Sequence, residues 1–173
     1  MKCMEEKRNW FVAYVRSCQE RNVARRLSSR GLETYIPIQK QKRKWSDRIK
    51  MVDHLVLPRI VFVFATEAER LESLKTEPYL TAYMTDHGTH KPVIVPQRQL
   101  DVFRQMVEGS GREVRVRDNL APGDSVRIAS GPLQGLECQL VTVNSQRCLA
   151  VSLGALGSAT IDLSIDDVIK ISQ

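Results

Sequence analysis

The sequence predicts an α+β protein of two domains, a split βαβ domain followed by a small β-barrel. Over residues 1–108, short apolar runs alternate with helical patterns, whereas the later part has five short apolar runs separated by turn residues. Residues 119–173 carry three basic and five acidic side chains, a net charge of −2. Because the whole chain has a net charge of +6, residues 1–118 have a net charge of +8. Such asymmetry indicates two modules with different partners. We place the first domain at 1–108, a linker at 109–120 and the second domain at 121–173.

The first domain begins with a strand and a helix. Residues 10–15 (WFVAYV) have the apolar, β-branched and aromatic content of a buried strand. Ser17 and Glu20 have the spacing of a capping box, and Gly31 lies where a left-handed helix end is expected. The helix between them carries four arginines on its outer surface, for which a solvated face is the alternative to nucleic-acid contact: Arg21, Arg25, Arg26 and Arg30.

A second strand is predicted at residues 33–38, and a basic segment follows at 40–50. That segment interleaves six Lys or Arg with Trp45, and we expect it to form an exposed hairpin tip. Its cations can neutralise phosphates while Trp45 stacks on a base, which would give sequence-tolerant, salt-dependent binding. The candidate nucleic-acid-binding residues here are Lys42, Arg43, Lys44 and Trp45. A solvated loop is the alternative explanation.

Residues 55–64 (LVLPRIVFVF) are apolar on both faces, so they predict a strand that is covered on both sides. Pro58 requires an edge position or a bulge within it. Thr66 and Glu69 form a second capping-box pattern, at the start of a helix that would cover one face. The inward stripe of this helix is expected to be Ala68, Leu71 and Leu74.

Further along, a strand is predicted at residues 79–84, an extended segment at 93–95 and a helix from Pro96. The apolar stripe of that helix is Leu100, Phe103 and Val107. The order strand, helix, strand, strand, helix, strand, with one extra helix, matches a ferredoxin-like split βαβ layout.

The five apolar runs of the second half predict the strands of a small barrel. They span residues 125–128, 138–143, 148–153, 159–163 and 168–171. The expected core consists of Val126, Ile128, Leu140, Val143, Leu149, Val151, Ile161 and Val168.

The start of this second half carries a specific resemblance. The stretch GDSVRI, followed by GPLxG, resembles the KOW motif of NusG proteins and some ribosomal proteins. Gly131 and Gly135 would flank a tight turn that needs positive φ or close backbone approach. The motif residues are Gly123, Asp124, Gly131 and Gly135. Cys138 departs from the family, which usually has glycine near that position. The resemblance implies an SH3-like KOW barrel.

The first half resembles the NusG N-terminal (NGN) domain over nearly its whole length, from WFVAYV through LVLPRIVFVF, where the family often reads FPGYVFV, to PVIVP. Arg59 stands where the family often has glycine or asparagine, which favours a specialised paralogue of the RfaH or UpxY kind. The His-Thr-Thr motif of RfaH is replaced by Leu71, Glu72 and Ser73, so that contact is absent or different.

The resemblance implies a transcription elongation factor whose N-terminal domain binds the clamp helices of RNA polymerase and suppresses pausing. The matching positions of the contact patch are Tyr14, Leu57, Pro58, Ile60 and Phe62, for which ordinary core is the alternative. Three arginines would lie near DNA: Arg16, Arg21 and Arg25. For UpxY-type factors the family role is antitermination within surface-polysaccharide operons. The acidic KOW module would contact a second protein, and Gly154 and Gly157 favour a permanent barrel over a helical hairpin.

Other function classes receive less support from the sequence. No phosphate loop, nucleophile elbow or metal motif is visible, so we expect no catalytic activity, cofactor or metal. The four cysteines lack CxxC spacing, and no apolar stretch is long enough to cross a membrane. We therefore expect a cytoplasmic monomer with reduced thiols. The competing class is a KOW-containing ribosome- or RNA-binding protein.

Overall fold

The computed structural model describes residues 6–121 and 123–162, and the backbone of 168–170. The chain divides into two compact units. The first unit consists of Met1–Ile36 and Leu57–Gln97, and the second of Pro37–Val56 and Arg98–Gln173. The segment 37–56, placed in the first domain by the sequence pattern, thus belongs with the second unit.

The elements are, in chain order, β1 (Asn9–Val15), α1 (Glu20–Ser29), β2 (Glu33–Tyr35), β3 (Ile38–Lys44), β4 (Ile49–Leu55), β5 (Ile60–Ala65), α2 (Glu67–Thr76), β6 (Leu80–Tyr83), β7 (Ile94–Val95), α3 (Gln97–Gly109), β8 (Arg115–Arg117), β9 (Asp124–Ile128), β10 (Glu137–Val143), β11 (Gln146–Ser152), β12 (Ser158–Asp162) and β13 (Val168–Lys170). A short 3-10 helix, Gly154–Leu156, separates β11 from β12.

The first unit is built on an antiparallel sheet of order β2-β5-β1-β6, with β7 also paired to β1. Together with α1 and α2 this is the predicted split βαβ arrangement. One face of the β1–β5 pair packs with the apolar stripe of α1, which comprises Val23, Ala24 and Leu27. Val12 and Phe62 oppose each other on the other face and have no exposed surface. Both faces are therefore covered, as the apolar runs predicted.

Two predicted strands are shorter in the structure because turns interrupt them. Pro37 separates β2 from β3, since proline has no N–H for a sheet hydrogen bond, and its carbonyl accepts from the Val56 N–H at 2.9 Å. Pro58 and Arg59 form a turn between β4 and β5 rather than an edge or a bulge of one long strand.

Helix α1 ends as predicted but does not begin as predicted. Gly31 has a φ of +84°, the left-handed value expected just past the helix end. The capping box at Ser17 and Glu20 is wrong, because Gln19 is the N-cap and makes no side-chain capping bond. The Glu20 carboxylate instead accepts a hydrogen bond from the Arg59 N–H at 2.8 Å.

Helix α2 has the predicted capping box, in which Thr66 and Glu69 exchange hydrogen bonds of 3.2 and 2.8 Å. The predicted inward stripe is wrong: the side chains of Ala68, Leu71 and Leu74 are exposed. Arg70 and Ser73 are buried in their place.

The reversed face of α2 has a physical cause. The Arg70 guanidinium lies 5.6 Å from the ring centre of Phe11 and 5.3 Å from that of Tyr83, and it is bonded to Glu67. The Ser73 hydroxyl lies 2.7 Å from the Tyr83 hydroxyl. Because each buried polar group has a partner, the polar side of the helix is stable against the sheet.

The second unit contains the β3–β4 hairpin, α3 and a six-stranded sheet of order β13-β9-β10-β11-β12-β8. The five predicted runs correspond to β9 to β13, and the path does not close on itself within the part of the chain that is described. Strand β8, which pairs with β12, lies inside the segment predicted to be a linker. In α3 the predicted stripe of Leu100, Phe103 and Val107 is buried.

The expected core of the second half is largely buried. Five of its members have at most 7% of their surface exposed: Val126, Ile128, Leu149, Val151 and Ile161. Leu140 and Val143 are half-buried, and the side chain of Val168 lies outside the described residues.

Candidate functional site

The first candidate site is at one end of the β1–β5 pair in the first unit. We call it the sheet-end surface and define it by Tyr14, Leu57, Pro58, Arg59 and Ile60. Tyr14 pairs with Ile60 on one side and with Ala82 on the other, so these three side chains share a face of the sheet. The turn between β4 and β5 brings Pro58 and Arg59 to the same end.

Exposure divides the predicted contact residues into three groups. Pro58 is exposed and Tyr14 is half-buried, while Leu57 and Ile60 retain only 9% and 7% of their surface. Phe62 has no exposed surface and its ring lies 6.0 Å from that of Tyr35. Phe62 is therefore a core residue, and its placement does not support a direct contact with a partner. Arg59 is exposed and was not among the predicted contacts.

The three arginines predicted near DNA, Arg16, Arg21 and Arg25, are exposed. Arg26 of α1 and Arg30, its C-cap residue, have side-chain partners in the first unit. Arg26 donates to the buried Glu77 carboxylate at 3.2 Å and lies 5.5 Å from the Tyr79 ring centre, and Arg30 is bonded to Thr76. Spacing along the helix does not reveal these two pairs, because Glu77 and Thr76 lie 51 and 46 residues away from their arginines.

The second candidate site is the β3–β4 hairpin of the second unit. The register pairs Arg43 with Lys50 and Lys44 with Ile49, and the Trp45 N–H donates to the Arg48 carbonyl at 2.8 Å. Because side chains alternate along each strand, Arg43 and Lys50 share one face of the hairpin, and Trp45 directly follows the last residue of β3. The opposite face carries Lys42 and Lys44 beside two aliphatic side chains that are 69% and 51% exposed: Ile49 and Met51.

One buried glutamine attaches this hairpin to the rest of the second unit. The Gln39 amide nitrogen donates to the carbonyls of Val107 and Arg112 at 3.3 and 2.5 Å. Its carbonyl oxygen accepts from the Val114 N–H at 3.0 Å. Gln39 is only 6% exposed, so these bonds are shielded from water. The sequence did not identify this residue, because one Gln in a basic strand carries no signal of its role.

The predicted motif turn lies between β9 and β10. Gly131 and Gly135 have φ values of +85° and +86°, and the Gly135 N–H donates to the Ile128 carbonyl at 2.8 Å. A Cβ at Gly123 would overlap the Leu140 carbonyl, so that position requires glycine. Asp124 is exposed at the start of β9.

Two titratable side chains of β10 differ in environment. Cys138 pairs with Val126, and burial raises the pKa of its thiol to about 11, which makes it unreactive as a thiolate at neutral pH. A hydrogen bond from Arg127, with Arg98 close by, lowers the pKa of the Glu137 carboxyl. This ion pair joins β9 and β10 to α3 within the second unit.

The described residues contain no cluster of His, Cys, Asp or Glu that could hold a metal ion. Within the same residues, no helix is both long and apolar enough to cross a membrane. The chemistry that both candidate sites offer is contact by apolar, aromatic and cationic groups.

Comparison with known proteins identifies the family. No curated protein matches the chain. Crystal structures of the MjSpt4:Spt5 complex in conformations A and B align with 17% identity and TM-scores of 0.34 and 0.35, over 95% of this chain and 99% and 97% of those chains. The model of the family described as "Transcription termination factor nusG" matches residues 8–104. This match covers more than half of the 173 residues of the chain. The chain therefore belongs to the NusG family.

Proposed function

We propose that this protein is an elongation and antitermination factor that binds the clamp helices of RNA polymerase through the sheet-end surface. The observation that carries the proposal is the family match over residues 8–104, which include the whole surface. Its chemistry supports protein binding, since an exposed proline and a half-buried tyrosine flank an arginine. Aromatic and arginine side chains are enriched among residues that dominate binding energy.

The wider role follows from the same resemblance. We assign the factor to a surface-polysaccharide operon, where it keeps polymerase processive, and to the cytoplasm as a monomer without catalytic activity. The second half would be an SH3-like KOW barrel that contacts a second protein. Its turn glycines and the five strands β9 to β13 support that part of the proposal.

Binding to purified core polymerase tests the proposal directly. The wild-type chain is expected to co-elute with the enzyme in size-exclusion chromatography. Tyr14→Ala is expected to weaken binding about 10-fold or more, because it removes the aromatic side chain of the surface. Phe62 is unsuitable for this test, since truncation of a fully buried phenylalanine costs about 3–5 kcal/mol of stability.

Ile94→Ala is the matched control. Ile94 is also apolar and 48% exposed, and it lies on β7 of the same unit. We expect this variant to bind like the wild type, and thermal melting will show whether both variants remain folded. Equal binding by Tyr14→Ala and wild type would contradict the proposed surface. Recovery of ribosomes in place of polymerase would support a KOW-containing ribosome- or RNA-binding protein.

The hairpin supports a nucleic-acid contact within the same function. Residues 40–50 carry six cations and one acidic residue, and Trp45, directly after β3, is 57% exposed. An exposed aromatic among cations suits stacking on unpaired bases with phosphate neutralisation on either side. We assign this segment to DNA or RNA of the elongation complex.

A further inference from the structure

Arg59 has a left-handed backbone conformation, with a φ of +64°. The other described non-glycine residues with positive φ are Cys18, His90, Asn119, Asn144 and Ser145, none of which has a long cationic side chain. This conformation is unfavourable for residues with a Cβ and is readily adopted by glycine. Pro58 precedes it, and proline followed by a residue of positive φ is typical of a type II turn, in which glycine or asparagine is preferred at the second position.

The turn itself does not need the arginine side chain. The Arg59 N–H donates to the Glu20 carboxylate at 2.8 Å, and its carbonyl accepts from the Val15 N–H at 2.9 Å. Glu20 is only 4% exposed, so the first of these bonds is shielded. Both bonds involve backbone groups of Arg59, and glycine would make them equally well without the unfavourable conformation. An unfavourable conformation that surrounding contacts maintain is typical of functional positions.

The Arg59 side chain is exposed on the sheet-end surface, where a protein partner can contact it. Arg59 is exposed between the exposed Pro58 and the nearly buried Ile60, at the end of the sheet that carries the half-buried Tyr14. A guanidinium group presents a planar set of donors that matches a carboxylate in bidentate geometry. Because the neighbouring side chains are apolar, such a pair would be partly shielded from water when the surface is covered.

We infer that Arg59 is a recognition residue of the sheet-end surface and pairs with a carboxylate on the protein partner. This inference rests on the proposed function. A carboxylate is favoured over a phosphate because the neighbours of Arg59 along the chain, Leu57, Pro58 and Ile60, are apolar. A phosphate-binding segment instead gathers several cations, as residues 40–50 do.

The test compares Arg59→Gly with the wild type in titrations of the full chain against core RNA polymerase, without nucleic acid. Arg59→Gly is expected to raise Kd about 10-fold or more, because a partner carboxylate then loses its counter-charge. The same variant is expected to melt at the wild-type temperature or above it, since glycine suits the backbone. A residue with a purely structural role would not weaken binding while preserving stability.

His90→Gly is the matched control, because His90 is also exposed and left-handed, with a φ of +54°, in the same unit. It is expected to bind like the wild type. If the wild type fails to bind core polymerase, the proposed function and this inference both fall. If the wild type binds and Arg59→Gly binds equally well, only the inference is overturned. A loss seen solely with complexes that contain nucleic acid would assign Arg59 to a phosphate and would also overturn it.

Discussion

Replacing Gln39 by alanine is expected to weaken the attachment of the β3–β4 hairpin to the rest of the second unit. The change removes three hydrogen bonds, two donated to the carbonyls of Val107 and Arg112 and one accepted from the Val114 N–H. Val114 is only 2% exposed, so its N–H would lose its partner without gaining water. An unsatisfied buried donor costs about 1–3 kcal/mol, and the weaker loss at the carbonyls brings the expected decrease in the free energy of unfolding to about 2–5 kcal/mol.

Urea denaturation of the full chain measures this decrease, and hydrogen exchange at the Val114 amide reports the local opening. Gln41→Ala is the matched control, because Gln41 lies two residues further along the same strand face and its amide nitrogen has no hydrogen-bond partner among the described atoms. We expect the control to change stability by less than about 0.5 kcal/mol.

Gln39→Glu separates the two halves of the interaction. It preserves an acceptor for the Val114 N–H but places a carboxylate oxygen against two carbonyl oxygens, so we expect it to be destabilising as well. The reasoning would be refuted if Gln39→Ala were no more destabilising than Gln41→Ala, or if exchange at Val114 were unchanged.

Three further predictions concern the helix cap, a buried phenol and the hairpin. Thr66→Ala should lower the free energy of unfolding by about 1 kcal/mol in denaturant titrations, and Thr66→Ser should restore it, because the hydroxyl accepts from the Glu69 N–H. Burial raises the pKa of Tyr83 above its ordinary value, so its stabilisation is fully present below the unfolded pKa and is lost as pH rises through the folded pKa. Tyr83→Phe should therefore reduce the loss of stability that sets in as the pH rises above about 10, the ordinary pKa of tyrosine, in urea titrations. Replacing Lys42, Arg43 and Lys44 by Gln should reduce the slope of log affinity for single-stranded DNA against log salt by about 2. An unchanged slope would argue against phosphate contact by these residues.

Local patterns predicted most of the elements. The capping box at Thr66, the left-handed Gly31 and the buried stripe of α3 all follow from interactions within a few residues. The five strands of the second half were recognisable because alternating apolar side chains and turn residues are local signals. The polymerase-binding role of the sheet-end surface stays a prediction.

Wrong predictions arose where a distant partner changed the local preference. In α2 the apolar stripe at Leu71 and Leu74 suggested an inward face, but Arg70 has the rings of Phe11 and Tyr83 beneath it. Glu20 had capping-box spacing, yet its carboxylate binds the backbone of Arg59. In both cases a specific tertiary contact outweighed a weak local pattern.

By itself the sequence determined the family resemblance, the order of strands and helices, and the concentration of cations in residues 40–50. Only the tertiary structure decided that Phe62 is buried, that Arg59 is exposed in a left-handed turn, and that Gln39 anchors the hairpin. The physical reason is distance along the chain: Gln39 and Val107 are 68 positions apart. Burial and hydrogen-bond partners at such separations depend on how the chain packs, whereas helix ends and strand alternation depend on immediate neighbours.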